Sequence, residues 1–134
     1  MSIWAVQKAV YGRLSSDPTL AGMTHGIYDM QVPDSVTPKF PYIVIGEKSE
    51  LPENRHDRLG RRISFSIHVF SRYRGTKEAA GIAARVTELL EGVSLPVDPP
   101  WHFITCFLSQ SIVMEEDVNQ IHIVQRFQAH LETA

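Results

Sequence analysis

Arg61-Arg62-Ile63-Ser64-Phe65-Ser66-Ile67-His68-Val69-Phe70-Ser71 is the stretch on which the fold turns. Ile63, Phe65, Ile67 and Val69 alternate with Ser64, Ser66 and His68, and a period of two sends the apolar set to one face of a strand. Phe70 falls on the polar face, so that face is expected to be partly covered as well. After Arg72-Tyr73-Arg74-Gly75 the period changes. Ala79, Ile82, Ala83, Val86, Leu89, Leu90 and Val93 recur at steps of three and four, an apolar stripe along a helix. Thr76 suits its N-cap, Glu78 its first turn, and Gly92 the left-handed position after its last residue. A strand running into an amphipathic helix predicts a core with helix packed on sheet.

Working outward, residues 2–15 carry Ile3, Val6, Val10 and Leu14 on one helical face with Ala9 between them, and Trp4 and Tyr11 on the flank. Pro18 ends this helix, because it disfavours a helical Asp17, and it permits a short further turn through Leu20 and Ala21. Ile27-Tyr28-Asp29 reads as a short strand. Pro33, Pro38 and Pro41 make 31–41 a stiff connection. Tyr42-Ile43-Val44-Ile45 is a continuous apolar run, as in a strand covered on both faces. Gly46 to Gly60 is a long polar excursion, expected to be an extended hairpin between strands 42–46 and 62–71. Unstructured stretches of that length are commonly functional or disordered. Past the rigid connector 95–100, a strand is predicted over about 102–109, with a possible continuation to Met114. Glu115-Glu116-Asp117 reads as an acidic turn. A final strand alternates Ile121, Ile123, Phe127, Ala129 and Leu131 with His122, Arg126, Gln128 and His130. Gln125 interrupts its apolar face and Val124 its polar one.

The expected class is therefore α+β: a largely antiparallel sheet of four to five strands with two main helices on one face, in the order α-β-β-β-α-β-β. One domain over 1–134 is expected at this length. With 43% hydrophobic and 21% charged residues the chain has the balance of a soluble globular protein. A net charge of −2 lacks the basic excess of a phosphate-binding domain. The N-terminus has no signal-peptide pattern, and no apolar run approaches the roughly 20 residues that span a bilayer. A soluble, intracellular protein is the expectation.

Chemistry is hard to find. The six histidines follow no metal-ligand spacing, although His68, His102 and His122 could meet on the sheet's polar face. The single Cys106, set in Phe103-Ile104-Thr105-Cys106-Phe107-Leu108, reads as a small buried hydrophobe rather than a nucleophile. No phosphate loop, dinucleotide fingerprint or nucleophile elbow is present. No enzyme, no cofactor and no metal are expected. Arg55, Arg58, Arg61 and Arg62, with Arg72 and Arg74 farther along, admit three readings. They pair locally with Glu47, Glu50, Glu53 and Asp57; or they grip carboxylates on a neighbouring subunit; or they touch passing DNA.

Taken in order, Phe40-Pro41-Tyr42-Ile43-Val44-Ile45-Gly46-Glu47, the polar excursion, His68-Val69-Phe70-Ser71-Arg72-Tyr73-Arg74-Gly75, Glu78-Ala79-Ala80-Gly81-Ile82-Ala83 and Leu89-Leu90-Glu91-Gly92 resemble the tail-completion (tail-terminator) proteins of long-tailed bacteriophages and prophages. Val6 to Leu14 and Gly26-Ile27-Tyr28-Asp29 match in kind and order. The resemblance implies a ring subunit, usually of a hexamer, that caps the head-proximal end of the tail tube, contacts the tube and head-connector proteins, and lets DNA pass without specific binding. It implies a place in the virion tail or neck after assembly in the host cytoplasm. Arg55, Arg58, Arg61 and Arg62 on the hairpin and Glu115, Glu116 and Asp117 at the acidic turn are the candidate complementary contacts. The alternative is a ferredoxin-like module binding nucleic acid or a small ligand on its sheet, which would require exposed aromatics there.

Overall fold

The computed structural model describes residues 2–35, 37–117 and 120–133, with the side chains of Glu116 and Asp117 outside the description. Helix α1 (Ser2–Ser15) and the short α2 (Pro18–Met23) precede strands β1 (Ile27–Asp29), β2 (Tyr42–Pro52) and β3 (Gly60–Ser71). Helix α3 (Lys77–Leu90) then leads to β4 (Trp101–Asp117) and β5 (Gln120–Thr133). The five strands lie in the order β1-β2-β3-β5-β4. All neighbours run antiparallel except β1 and β2, which are parallel. The sheet is thus α+β and largely antiparallel, as its sequence indicates, with one parallel pair at an edge.

The alternation in β3 sets the core. Ile63, Phe65, Ile67 and Val69 are all buried, in one cluster with Val6, Val10 and Leu14 of α1 and Ile82, Val86 and Leu90 of α3. Both main helices therefore cover the same face. Phe65 and Phe127, opposite each other on β3 and β5, stack at 5.6 Å between ring centres in the middle of this layer. Gln125 interrupts the apolar face of β5 because α3 needs it. Its amide donates to the Ala83 carbonyl at 3.0 Å and to Thr87 Oγ1 at 2.8 Å. Gly92 takes φ +71° just past α3, in the left-handed region that only glycine enters freely. Thr76 occupies the N-cap of α3 without a side-chain cap bond, and Glu78 instead accepts from Ser71 Oγ at 2.8 Å.

Three features exceed the sequence expectation. Helix α2 is a full element, capped by Asp17, whose carboxylate accepts from the Leu20 amide at 2.8 Å. Strand β2 continues to Pro52 through a bulge between Ile45 and Lys48, shortening the polar excursion to residues 53–59. Strand β4 runs through Asp117 with bulges near Phe103, Leu108 and Glu115, so the acidic residues belong to the strand.

Asp17 also ties the first two helices to the third, since Arg85 donates to both its oxygens at 2.9 and 2.7 Å. Arg85 is the main cause that holds the Asp17 carboxyl below its ordinary value of 3.8. A folded-state pKa below the unfolded one stabilises the fold fully above the unfolded value and loses that stabilisation as pH falls. The Tm of the native chain is expected to drop more steeply below about pH 4 than that of Asp17→Asn. Parallel curves for the two proteins between pH 5 and 3 would remove Asp17 from the acid response.

Candidate assembly site

The arginines predicted for contact collect at one end of the sheet, where β2 turns into β3. The turn is closed by backbone bonds from Arg55 N to Arg58 O at 2.8 Å and from Glu53 N to Gly60 O at 2.9 Å. Thr133 at the end of β5 fastens it from the side, its amide on Leu59 O at 2.9 Å and its hydroxyl accepting from Leu59 N at 3.0 Å. The polar excursion is the extended hairpin expected from the sequence, and its tip is pinned.

Its charges are arranged around Glu132. Arg55 Nε lies 3.1 Å from one oxygen of that buried carboxylate, and Arg58 donates to the other at 3.3 Å. Arg58 also pairs with Asp57, which is the leading reason its guanidinium is held more firmly protonated than usual. Arg62 pairs with Glu53, and His130 Nδ1 lies 2.9 Å from the second oxygen of Glu53. Arg61 donates to Asn54 Oδ1 at 2.9 Å and lies over the Trp101 ring at 5.3 Å. The local-pairing reading therefore holds for Glu53 and Asp57. Glu132 was missed because it sits in phase with the solvent-facing residues of β5. Only its pairing with Gly60 across the sheet places it beneath the arginines.

These pairs leave the tip reactive toward a partner. The Arg55 side chain is 64% exposed and that of Arg62 is 45% exposed. A guanidinium has five N–H donors, so one paired carboxylate does not saturate it. Exposed pairs of this kind add little stability by themselves. The tip is better suited to being met than to holding the fold.

Glu115, exposed, lies at the opposite end of the sheet with Glu116 and Asp117, whose side chains fall outside the described atoms. Strand β3 spans the distance between the two ends, and its 12 residues measure about 40 Å. The arginine tip and the acidic end cannot meet within one molecule.

The sheet face away from the helices carries an aromatic cluster. Tyr42 stacks on Phe70 at 4.9 Å, Phe70 on His122 at 4.3 Å, and Phe40 meets Tyr42 edge-on at 5.0 Å. His68 Nδ1 lies 2.7 Å from His122 Nε2, and His68 Nε2 lies 2.9 Å from Glu47. Burial raises the Glu47 carboxyl, but hydrogen bonds from Ser66 and His68 outweigh it and hold the group below its ordinary value. Of the three histidines that could have met on this face, His68 and His122 do so. His102 pairs with Glu132 at the other end of the sheet and does not join them. Among the described residues no three histidine, cysteine, aspartate or glutamate side chains are placed to hold a metal ion. Cys106 is fully buried, and desolvation pushes its thiol up to about 12, which leaves it no thiolate near neutral pH.

The tail completion protein gp17 family profile matches residues 8–132. The chain belongs to that family. It is similar to a chain of the virion of a native gene transfer agent particle, with 25% identity and a TM-score of 0.85 over 97% of this chain and 96% of that one. It is also similar to the gp17 protein of bacteriophage SPP1, with 25% identity and a TM-score of 0.58 over 93% of this chain and 88% of that one. No curated protein matches it. The family member thus has the α+β sheet and the ordered motifs by which its sequence resembled tail-completion proteins, and its role is that of a structural component of a phage-type tail. Among the described residues no helix is long and apolar enough to cross a membrane.

Proposed function

We propose that this tail completion protein acts as one domain over 1–134, assembling into a ring, six-fold as its family resemblance implies, at the head-proximal end of a tail tube. The family match over residues 8–132, joined to the near-complete overlay on a chain of a gene transfer agent virion, carries this reading. The ring stops growth of the tube, meets the tube protein on one side and the head connector on the other, and lies in the tail or neck of the particle. It works by surface complementarity and carries no catalysis. DNA passes through without being held, which suits a net charge of −2. Among the described residues, the sheet-face alternative has one exposed aromatic on that face, Phe107, and no cluster of them. Phe65 and Phe127 lie inside, and Tyr42, Phe70 and His122 are stacked on one another rather than free to take bases.

Arg55, Arg58, Arg61 and Arg62 at one end, and Glu115, Glu116 and Asp117 at the other, are the proposed contacts with neighbouring subunits. Opposite charges at opposite ends suit head-to-tail meeting, in which one patch complements a different one. Particle mass in solution and images at high protein concentration test the ring. Arg58→Glu combined with Arg61→Glu is expected to weaken assembly at least tenfold and to remove much of its salt sensitivity. Arg58 holds Glu132 internally, so Tm is measured alongside and is expected to fall by only a few degrees. Unchanged assembly at low and high salt would take the arginine tip out of the contact.

A further inference from the structure

The two outer strands of the sheet are unequal. On one side, among the described residues, β2 from Glu47 to Pro52 has no strand beyond it, because β1 pairs only with Ile43 to Ile45. That open edge has a bulge between Ile45 and Lys48, the charges of Glu47, Lys48 and Glu50, and a terminal proline. Lys48 turns across it to bond Asp29 at 3.1 Å and the Gly46 carbonyl at 3.1 Å. Bulges, lysines and prolines are the devices that keep a strand edge from adding another strand.

On the other side β4, though it too is bulged near Phe103, Leu108 and Glu115, has no proline and no charge over most of its length. It is 17 residues long, and from Trp101 to Met114 it has no lysine, arginine, aspartate or glutamate. Its first half is closed from outside by the segment after α3. Gly92 donates to Cys106 O at 2.7 Å, Ser94 to Phe103 O at 2.6 Å, and the Leu108 amide to the Glu91 carboxylate at 2.9 Å. Beyond Leu108 it is the terminal strand, and Val113 there is 55% exposed with Met114 also exposed. A chain that charges one edge and leaves another uncharged, with Val113 and Met114 exposed along it, has a use for the uncharged one.

The register identifies the occupant. Following the ladder across the sheet, Asp29 is level with Ile45, Ile67, Gln125 and Ser111, and Ile27 with Ile43, Val69, Ile123 and Val113. The short outer strand β1 therefore stands at the same height as the bare part of β4. Strands β1 and β2 run one way, β3 the other, β5 with β2, and β4 with β3, so β4 and β1 point in opposite directions. A second copy placed beside the first presents its β1 to β4 at matching height and antiparallel, the pairing that hydrogen-bonds best. The bonds from Ile43 N to Gly26 O and from Met30 N to Ile45 O turn the alternate peptides of Ile27 and Asp29 outward, where Asp29 O also accepts from Gln31 N at 2.7 Å.

We infer that copies of this chain join laterally by pairing the Ser109–Met114 edge of β4 with the outer edge of β1 in the next copy, with Ser111 near Asp29. This rests on the ring reading above and supplies its side-to-side contact. The contact is heterologous, so it repeats around a closed ring instead of stopping at a dimer. In such a ring every arginine tip lies on one rim and every acidic end on the other, so the charged contacts proposed above are made with the layers above and below and not between lateral neighbours. Because β1 offers only three residues, the pairing is weak in dilute solution and grows with concentration or on a tube end.

The test is disulfide trapping in the full chain, with Asp29→Cys combined in turn with Ser109→Cys, Ser111→Cys or Val113→Cys to cover a stagger of two residues either way. Paired β-strand residues lie within disulfide reach. At least one double variant is expected to convert most of the protein, on oxidation at high concentration, into a ladder of trimers and larger covalent species. Each single variant is expected to give dimers at most. Rings or multimers seen by mass and imaging with no ladder from any pair would overturn the edge contact while leaving the ring in place. Absence of self-association in every variant and in the native chain, up to the highest concentration, would overturn both.

Discussion

Phe127→Ala is expected to destabilise the protein by about 3–5 kcal/mol, a large fraction of what holds a domain of this size together. Phe127 is fully buried, its ring stacked on Phe65 and enclosed in the cluster that α1 and α3 form over the sheet. Truncation removes the ring's transfer free energy and leaves a cavity between stiff strands that cannot collapse to fill it. Phe107, on the neighbouring strand, is 46% exposed, and Phe107→Ala is expected to change stability by less than about 1 kcal/mol. Urea denaturation of the two variants reads the contrast directly. Equal midpoint shifts would mean that the β3–β5 layer is not the centre of the fold. Ring formation by Phe127→Ala is expected to fail for the same reason, since an unfolded subunit presents no edge.

Gly60→Ala is expected to weaken the contacts made through the arginine tip at least as much as the double arginine reversal does, while leaving most of the sheet folded. A Cβ at residue 60 would stand 2.3 Å from the Glu53 carbonyl oxygen and 3.1 Å from its carbon, so backbone must move. The hydrogen bond from Glu53 N to Gly60 O at 2.9 Å closes the turn there, and it opens when Glu53 shifts. Overpacking of this kind costs about 1–3 kcal/mol. The larger effect is geometric, because Asn54, Arg61 and Arg62 all take their places from that closure. Trp101, under the Arg61 guanidinium, reports the change through its fluorescence. Gly12→Ala is the comparison: nothing lies within 4 Å of the new methyl group, and an alanine inside α1 is expected to stabilise by up to about 1 kcal/mol. A Gly60→Ala protein with native Trp101 emission and normal assembly would show that the tip tolerates the displacement and is not the contact.

Much of the fold could be read from residue order because its causes are local. The alternation at Ile63–Val69 and the helical stripe at Ala79–Leu90 each reflect the geometry of a single element, and one buried face settles both. Gly92 was legible for the same reason, since a left-handed residue after a helix is a property of its own backbone. Thr76 was only half legible. Its position at the cap follows from the stripe, but its hydroxyl makes no cap bond, and Glu78 of the first turn bonds across to Ser71 on β3 instead.

The candidate site was legible in composition and not in arrangement. Four arginines on a polar hairpin are visible in the chain, and the acidic run after β4 equally so. That Glu132 sits beneath Arg55 and Arg58 required β5 to be aligned with β3, a pairing between residues 74 positions apart. The His68–His122 contact has the same origin, and so does the exclusion of His102.

By itself the sequence determined which segments become strands and helices, which face of each is buried, and the family to which the ordered motifs belong. Those properties depend on neighbours a few residues apart, whose spacing the backbone geometry converts into a face. Only the tertiary structure decided the strand order, the parallel placement of β1, the opposite ends taken by the arginine tip and the acidic residues, and the bare outer edge of β4. These are relations between segments far apart in the chain. Several strand orders bury the same apolar faces, so burial pattern alone leaves the choice open.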